Sequence, residues 1–293
     1  MKNIIKLVLV SSLLAGLVPE LKAAEAKRLL VVTTTLGFRH SSIPTAEKVL
    51  NKLGLKSGTF TVEYARVEPN SPEFKDPATG KPDNEKVKAA IQDALAEKMS
   101  AAALANYDGI IFANTTGDLP LPDREAFLNW LKSGKAFVGM HSASDTFHGW
   151  PTFIEMLGGE FASHGAQTCV ECLNVAPGHP ANVKLGKAWV LNQEEIYLIK
   201  NYDPAKCQEL LVLDKHPNSK VPGSFPVSWS KSYGEGRVFY TTLGHREDIW
   251  DDETDPSFQR ENHVGVSRAF QQHILGGIQW ALRLAPDAKA NVR

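Results

Sequence analysis

Short apolar runs alternate with helical patterns through the first half of the chain, which is typical of an α/β protein built on a parallel sheet. The third run is apolar throughout, as expected for a strand that helices cover on both faces. Ser42 is the expected N-cap of the first helix, with Pro44 in its first turn. A loop rich in Pro, Gly, Lys and Asp is predicted over 68–84. The predicted strands are 28–33, 60–67, 108–114 and 135–140, and the predicted helices are 46–53, 85–99 and 123–131.

The second half of the chain has a different pattern, in which short strands follow one another with turn signals between them. A hairpin turn is predicted at 233–236, and a closing helix over 266–282 carries one apolar face. We therefore predict an α/β fold whose sheet is mostly parallel, with antiparallel strands in the second half and helices on both faces. The predicted strands of this half are 168–175, 196–200, 209–214, 227–231 and 237–242.

The N-terminus has the features of a secretory signal peptide. Lys2 and Lys6 precede an apolar run over 7–18, and small residues follow at 23–26. The run is too short to span a membrane, and it lacks the polar face of a retained amphipathic helix. We expect residues 1–26 to be removed, 27–285 to form a single domain and 286–293 a C-terminal tail. The mature protein is then periplasmic or secreted, with no membrane span.

The charge content of the chain argues against one class of ligand. The chain has 32 basic and 33 acidic residues and no basic stripe, which argues against nucleic acid as a ligand.

Cys169 and Cys172 fall in a predicted strand, where an i, i+3 pair points to opposite faces and is not easily bridged. We expect buried structural cysteines, either unpaired or with one of them paired with Cys207.

The segment 135–145 is the most informative stretch for function. An apolar run passes through Gly139 to His141 and a polar turn that is predicted to open a helix. In open α/β sheets such a junction holds a reactive side chain above the strand ends. Because histidine occupies the position of a covalent nucleophile, the pattern favours acid/base or metal chemistry.

Polar clusters also follow the other strands. Those at 37–41, 114–118 and 141–145 come after three parallel strands, so they should meet in one crevice at the carboxyl edge of the sheet. Two further clusters, 163–165 and 243–245, each contain a histidine. We expect a functional crevice there rather than scattered surface histidines.

These motifs resemble those of the ThuA-like (trehalose utilisation) family over nearly all of the mature chain. The resemblance implies a flavodoxin-like or class I glutamine amidotransferase-like fold without the Cys-His-Glu triad. It also implies a role in carbohydrate metabolism, with 3-keto-disaccharides or 3-keto-glycosides from a partner glycoside 3-dehydrogenase as substrates. The motifs are 37–42, 114–118, 139–146, 163–164, 194–197, Trp229, 236–241 and 243–245.

A ketone at C3 of a sugar acidifies the neighbouring C–H bonds, so such a substrate needs a base, an acid and a group that stabilises an enolate. We predict His141 as the central acid/base group, with His245 or His164 as the second. Asp145 lies four residues after His141, where a helix would bring both to one face. Alternatively, Asp145 only caps that helix.

Other polar and aromatic residues of the same motifs are predicted to bind the sugar. Arg39 and Asn114 are candidates for binding hydroxyl groups or the enolate, while Glu195 and Tyr197 would close the far side of the ring. Tyr197 as a core residue is the alternative. The remaining predicted substrate-binding residues are His40, Thr115, Asp118, Ser144 and Trp229.

A metal-dependent version would use His141, His164 and His245 with Asp145 or Glu195. No compact motif such as H-E-x-x-H is present, so we favour the metal-free mechanism and predict no cofactor, with a divalent metal as the alternative. A non-catalytic carbohydrate-binding protein is the competing class. Glutaminase activity is disfavoured, because no cysteine follows a strand-glycine-turn junction.

Overall fold

The computed structural model describes residues 25–253 and 259–285. The predicted signal peptide, except for its last two residues, and the predicted tail lie outside these ranges. The strands are β1 (Lys27–Val32), β2 (Phe60–Ala65), β3 (Gly109–Ala113), β4 (Ala136–Met140), β5 (Glu160–His164), β6 (Thr168–Asn174), β7 (Ala188–Glu194), β8 (Tyr197–Lys200), β9 (Gln208–Lys215), β10 (Pro222–Tyr233) and β11 (Gly236–Thr241). The helices are α1 (Ile43–Ser57), α2 (Asn84–Met99), α3 (Ala101–Leu104), α4 (Arg124–Lys132), α5 (Pro151–Leu157), α6 (Glu247–Trp250) and α7 (Val264–Ala281).

A nine-stranded mixed sheet forms the centre of the fold, in the order β2-β1-β3-β4-β11-β10-β9-β6-β7. The first five strands of that order are parallel. The rest pair antiparallel, and β5 and β8 form a separate two-stranded sheet. The predicted α/β class, with antiparallel strands added in the second half, is therefore confirmed.

Both faces of the central strands are covered. Leu29 and Val31 of β1 belong to one buried cluster, together with α1 and α7, whereas Leu30 and Val32 belong to the other, together with α2 and α4. Every residue of β3 is buried. Since neither face of these strands is open to solvent, polar chemistry has to be placed where the strands end.

Local sequence explains the ends of several helices. The Asp123 carboxylate caps α4 by accepting from the backbone N–H of Ala126, and Asp83 caps α2 in the same way. Ser42, the predicted N-cap of α1, occupies that position but makes no side-chain capping bond. Its hydroxyl is used in a buried contact with Gly244 instead.

Two strands were not predicted, namely β5 and β7. In β7, Trp189 and Leu191 face the core, but Val190 is also apolar and is 47% exposed, so the sequence lacks a clear polar and apolar alternation. Within the described ranges, no helix is both long and apolar enough to cross a lipid bilayer.

The cysteines are unpaired: all three lie in the described residues and are free. Cys172 and Cys207 are buried as expected, whereas Cys169 is exposed. Cys172 packs into the core on one face of the large sheet, whereas Cys207 packs into the core on the other. A disulfide between them is excluded because the sheet separates the two thiols.

Candidate functional site

The carboxyl ends of β1, β3, β4 and β11 lie at one edge of the sheet, because these strands are parallel. The loops that leave them carry His40, Asn114, His141 and His245. β11 pairs directly with β4, which brings the loop after β11 beside His141. Glu195 reaches the same place from the short connection between β7 and β8.

Three imidazoles and one carboxylate meet at this edge, and we call His40, His141, Glu195 and His245 the His–Glu cluster. His141 Nε2 lies 3.2 Å from His40 Nε2 and 3.3 Å from His245 Nδ1. Glu195 Oε2 lies 3.2 Å from His245 Nδ1 and 3.8 Å from His141 Nε2. One nitrogen or oxygen atom from each residue falls within 4.8 Å of all the others.

The backbone holds His141 in a specific orientation. Its φ of 48° is in the left-handed region and begins a 3-10 turn over His141–Asp145. Its Nδ1 lies 2.8 Å from the carbonyl oxygen of Thr242, and only an N–H can donate to a carbonyl. Nδ1 therefore carries the hydrogen of the neutral ring, and the Nε2 lone pair faces the cluster. The ring is completely buried.

Burial and mutual repulsion keep two of the imidazoles neutral. Burial, helped by the charge of His245, lowers the pKa of His40 to about 4. Burial, with repulsion from His40 and His245, holds the pKa of His141 well below its usual value. Both rings therefore carry free lone pairs at neutral pH.

His245 and Glu195 behave instead as an ion pair. Burial alone would lower the pKa of His245, but the hydrogen bond and charge of Glu195 raise it overall. Burial acts to raise the pKa of Glu195, yet His245 and the other imidazoles lower it overall. The carboxylate is therefore the anionic member of the cluster.

His164 extends the cluster towards solvent. Its Nδ1 lies 2.9 Å from Glu195 Oε1 and 3.0 Å from the carbonyl oxygen of Gly165. Because both neighbours are acceptors, Nδ1 carries the hydrogen and Nε2 is the basic nitrogen. The side chain is 45% exposed, so the imidazole is open to solvent.

Aromatic rings border the same crevice. The ring of Tyr197 lies 4.3 Å from that of His141, centroid to centroid, and is buried. The ring of Phe38 lies 4.8 Å from that of His40 and is 67% exposed. Phe38 was not among the predicted site residues, although an aromatic residue within a polar cluster at a strand end was the signal available in the sequence.

A buried network fixes the loop that carries His245. The carboxylate of Glu194 accepts from the backbone N–H groups of Gly244 (2.9 Å) and His245 (2.7 Å). Burial raises the pKa of Glu194 to about 7, although these two N–H groups act in the opposite direction. The carbonyl of Gly244 accepts from Asn114 Nδ2, Ser42 Oγ and Trp250 Nε1. Sequence analysis had not assigned Glu194 this role, since it depends on contacts between distant segments.

Asp145 does not orient His141 as expected. Its carboxylate lies 2.6 Å from His148 Nε2, and the other nitrogen of His148 lies 2.7 Å from Glu160 Oε2. The expectation assumed an α-helix, whereas a 3-10 turn has three residues per turn and places residue i+4 on a different face from residue i.

Several other predicted residues make internal contacts. Arg39 pairs with Glu68, and Asp118 is exposed and pairs with Arg124. The indole of Trp229 is fully buried and donates to the carbonyl of Leu157, so Trp229 is a packing residue and not a surface for sugar.

The remaining predicted residues divide into two groups. The amide of Asn114 donates to Ser42 and Gly244, the hydroxyl of Thr115 pairs with Thr146, and that of Ser144 with Tyr240. The structure brings the others together at the crevice: His40, His141, His164, Glu195, Tyr197 and His245.

Comparison with known proteins gives one family model and several solved structures of similar fold. The family model ThuA, described as trehalose utilisation, matches residues 28–281. A solved structure of a protein described as ThuA-like from Parabacteroides merdae matches with a TM-score of 0.62 and 19% identity, over 90% of this chain and 93% of that one. A second, from Bacteroides uniformis, gives 0.60 and 19% over 90% and 94% of the two chains. No curated protein matches.

Proposed function

This chain belongs to the ThuA family of trehalose utilisation, and on that basis we propose that it is an enzyme acting on 3-keto-disaccharides or 3-keto-glycosides at the His–Glu cluster. The observation that carries the proposal is the convergence of titratable side chains from separate segments at the carboxyl edge of the sheet. His164, which contacts Glu195 of the cluster, is partly exposed and can reach a ligand. A cluster with a purely structural role would not need an exposed histidine beside it.

We assign proton transfer to His164 rather than to His141. His141 is fully buried and its free lone pair faces the other members of the cluster, so it cannot reach a sugar. The His164 side chain is 45% exposed, and Glu195 contacts its ring at Nδ1, which leaves Nε2 for the substrate. An imidazole oriented by a carboxylate is a common general base in hydrolytic enzymes.

The proposed reaction begins next to the ketone. His164 Nε2 removes the C2–H proton of a 3-keto sugar, and the electron pair of that bond forms the enolate of the C3 ketone. When the enolate collapses, the C1–O bond breaks and the imidazolium returns the proton to the departing oxygen, which is an elimination. Addition of water across the double bond of the eliminated product, with OH joining C1 and a proton joining C2, completes a hydrolysis.

Aromatic contacts fit a sugar substrate. Phe38 exposes a large ring beside His40, and aromatic faces pack well against the C–H face of a pyranose. A sugar stacked on Phe38 would lie next to His40, at the edge of the cluster. A carbohydrate-binding protein without turnover would use the same contact, so only an activity measurement separates the two functions.

The proposal extends to location and substrate supply. The N-terminal pattern of 1–26 supports export to the periplasm or the medium after cleavage near residues 24–27. A glycoside 3-dehydrogenase would then supply the oxidised sugar. N-terminal sequencing of the protein recovered from the periplasm tests the cleavage, and recovery of the uncleaved chain from the cytoplasm contradicts it.

The test of function compares glucosides with their 3-keto forms as substrates of the purified protein. We expect turnover of the 3-keto forms only, and a loss of kcat of about 100-fold or more in His164→Gln, as is usual when a general base is removed. Sugar affinity should persist in that variant. The control is His263→Gln, which changes an exposed histidine at the start of α7. Binding of sugars with no turnover of any form would favour the non-catalytic function.

A further inference from the structure

We propose that the His–Glu cluster is a binding site for one divalent transition-metal ion, with His40 Nε2, His141 Nε2, His245 Nδ1 and Glu195 Oε2 as its ligands. The proposal deepens the function above by naming a cofactor for the same crevice.

Four of the six distances among these atoms are close to those in a metal coordination shell. Ligands about 2.0–2.2 Å from one zinc ion in a tetrahedral arrangement are about 3.3–3.6 Å from one another. The distances from His141 Nε2 to His40 Nε2 and to His245 Nδ1 are 3.2 and 3.3 Å, and that from His245 Nδ1 to Glu195 Oε2 is 3.2 Å. The distance from His141 Nε2 to Glu195 Oε2 is slightly longer, at 3.8 Å.

The groups behind the ligands are those that metal sites use. A metal-binding histidine usually donates its second N–H to a backbone carbonyl or a carboxylate, which fixes the tautomer that presents a lone pair to the ion. His141 does this through Nδ1 and the carbonyl of Thr242, at 2.8 Å. Glu195 does the equivalent through Oε1, which His164 holds at 2.9 Å.

The donor set also suits the chemistry of such an ion. Three imidazoles and one carboxylate are typical ligands of zinc and of neighbouring first-row divalent ions. Imidazole nitrogens that meet at hydrogen-bond distance cannot all be satisfied by donating to one another, because the single lone pair of His141 Nε2 faces two of them. A cation at the centre satisfies all four ligands at once.

Another histidine of the chain provides the contrast. Both nitrogens of His148 face carboxylate oxygens, Asp145 Oδ1 at 2.6 Å and Glu160 Oε2 at 2.7 Å. Hydrogen bonds satisfy that ring fully, so no lone pair remains to bind an ion. His148 is therefore the matched control: it is also paired with carboxylates, but it lies outside the cluster.

In the proposed reaction the ion would stabilise the negative charge that develops on the ketone oxygen. His245 is 20% exposed and Glu195 is 10% exposed by side chain, so the accessible side of the cluster is the side formed by these two residues and His164. His40 and His141 close the opposite side.

The test is metal binding to the untagged protein, since a polyhistidine tag would bind the probe itself. After treatment with a chelator and dialysis, Co²⁺ is added and followed by visible absorption, and Zn²⁺ stoichiometry is measured by elemental mass spectrometry. We expect one ion per chain, cobalt bands typical of four- or five-coordinate nitrogen and oxygen ligands, and a raised Tm, because an ion that binds only the folded state stabilises it.

The variants Glu195→Gln and His245→Asn should each weaken Co²⁺ affinity by more than about 10-fold, since loss of even an outer-shell partner has an effect of that size. His148→Gln should leave both affinity and stoichiometry unchanged. Circular dichroism without metal establishes that each variant is folded. If neither cluster variant folds, the stoichiometry and cobalt spectrum of the wild-type protein decide the question alone.

Absence of saturable binding to the wild-type protein would overturn the proposal and leave the cluster as a hydrogen-bonded network of imidazoles. Equal weakening in His148→Gln would do the same. The two proposals fail separately: His164→Gln should lose turnover but keep the ion, whereas a protein that binds metal and turns over no keto-sugar retains the site and loses the proposed reaction.

Discussion

At the scale of single residues, the site depends on unusual backbone angles at strand ends. His141 has a φ of 48° directly after β4, and Asn114 has a φ of 56° directly after β3. The left-handed region is unfavourable for residues other than glycine, so surrounding contacts have to hold these turns in place. At His141, the hydroxyl of Tyr240 donates to the backbone carbonyl of this turn.

The first prediction concerns that hydroxyl. Tyr240 Oη lies 2.6 Å from the carbonyl oxygen of His141 and 2.7 Å from Ser144 Oγ, and all three groups are buried. Tyr240→Phe leaves them without this partner, which should lower the free energy of unfolding by about 1–3 kcal/mol. Urea unfolding followed by circular dichroism measures the change.

Tyr233→Phe is the matched control, because it removes a hydroxyl from a partly exposed ring at the end of the neighbouring strand β10. Its effect should stay within about 0.5 kcal/mol. Equal losses in the two variants would show that the Tyr240 hydroxyl does not stabilise the turn at His141.

At the scale of elements, α7 packs unusually close to the sheet. A Cβ atom placed on Gly277 would lie 2.5 Å from the ring of Phe239 in β11. One on Gly276 would lie 2.1 Å from the carbonyl oxygen of Pro180. Gly277 lets the helix approach the strand that leads to His245, and Gly276 lets the backbone at Pro180 pack against the helix.

The second prediction follows from this close approach. Alanine is a better helix former than glycine by about 1 kcal/mol, so a helix free of contacts would gain from Gly277→Ala. Here the added methyl group meets the ring of Phe239, and overpacking of this kind costs about 1–3 kcal/mol. We expect net destabilisation, measured as a lower urea midpoint.

Gly265→Ala is the control, since it lies in the first turn of the same helix and its Cβ would meet no atom within 4 Å. This variant should be neutral or more stable by up to about 1 kcal/mol. Stabilisation by both substitutions would contradict the close packing of α7 on β11.

The elements with the strongest apolar patterns were predicted well. β1, β3 and α7 were expected at 28–33, 108–114 and 266–282 and are found at Lys27–Val32, Gly109–Ala113 and Val264–Ala281. Buried strands and amphipathic helices have a clear apolar pattern in the sequence. The strand β7 lacks such a pattern. It is an edge strand that pairs only with β6, and its apolar residue Val190 is exposed.

At the scale of the whole molecule, the site assembles from residues far apart in the chain. His40 and His141 are separated by 101 positions, and His141 and His245 by 104. The rule that parallel strands end at one edge was enough to expect His40 and His141 near each other. It could not place His245, whose strand β11 was predicted only as the second strand of a hairpin, or Glu195, which enters from the antiparallel half. Nor could it show that Asp145 turns towards His148.

The last prediction concerns the stability of the entire fold against acid. His273 on α7 is completely buried, with Nδ1 beside the carbonyl of Ala181 and Nε2 beside Ser228 Oγ. Burial lowers its pKa to about 3, although the bond to Ala181 acts in the opposite direction and the nearby His179 adds to the lowering. The folded protein therefore keeps this ring neutral at a pH where the unfolded chain protonates it.

The sign follows from proton uptake on unfolding. Below about pH 6.5, the usual pKa of histidine, His273 binds a proton in the unfolded chain but not in the native state. Its contribution to the free energy of unfolding therefore falls by up to about 1.4 kcal/mol for each pH unit. Between pH 7 and pH 5 the wild-type protein should lose about 2 kcal/mol more than His273→Gln does. Urea unfolding at both pH values measures this difference, and Ser228→Ala, which keeps the imidazole, should retain the wild-type slope. Parallel pH profiles for the wild type and His273→Gln would show that the imidazole is not kept neutral by burial.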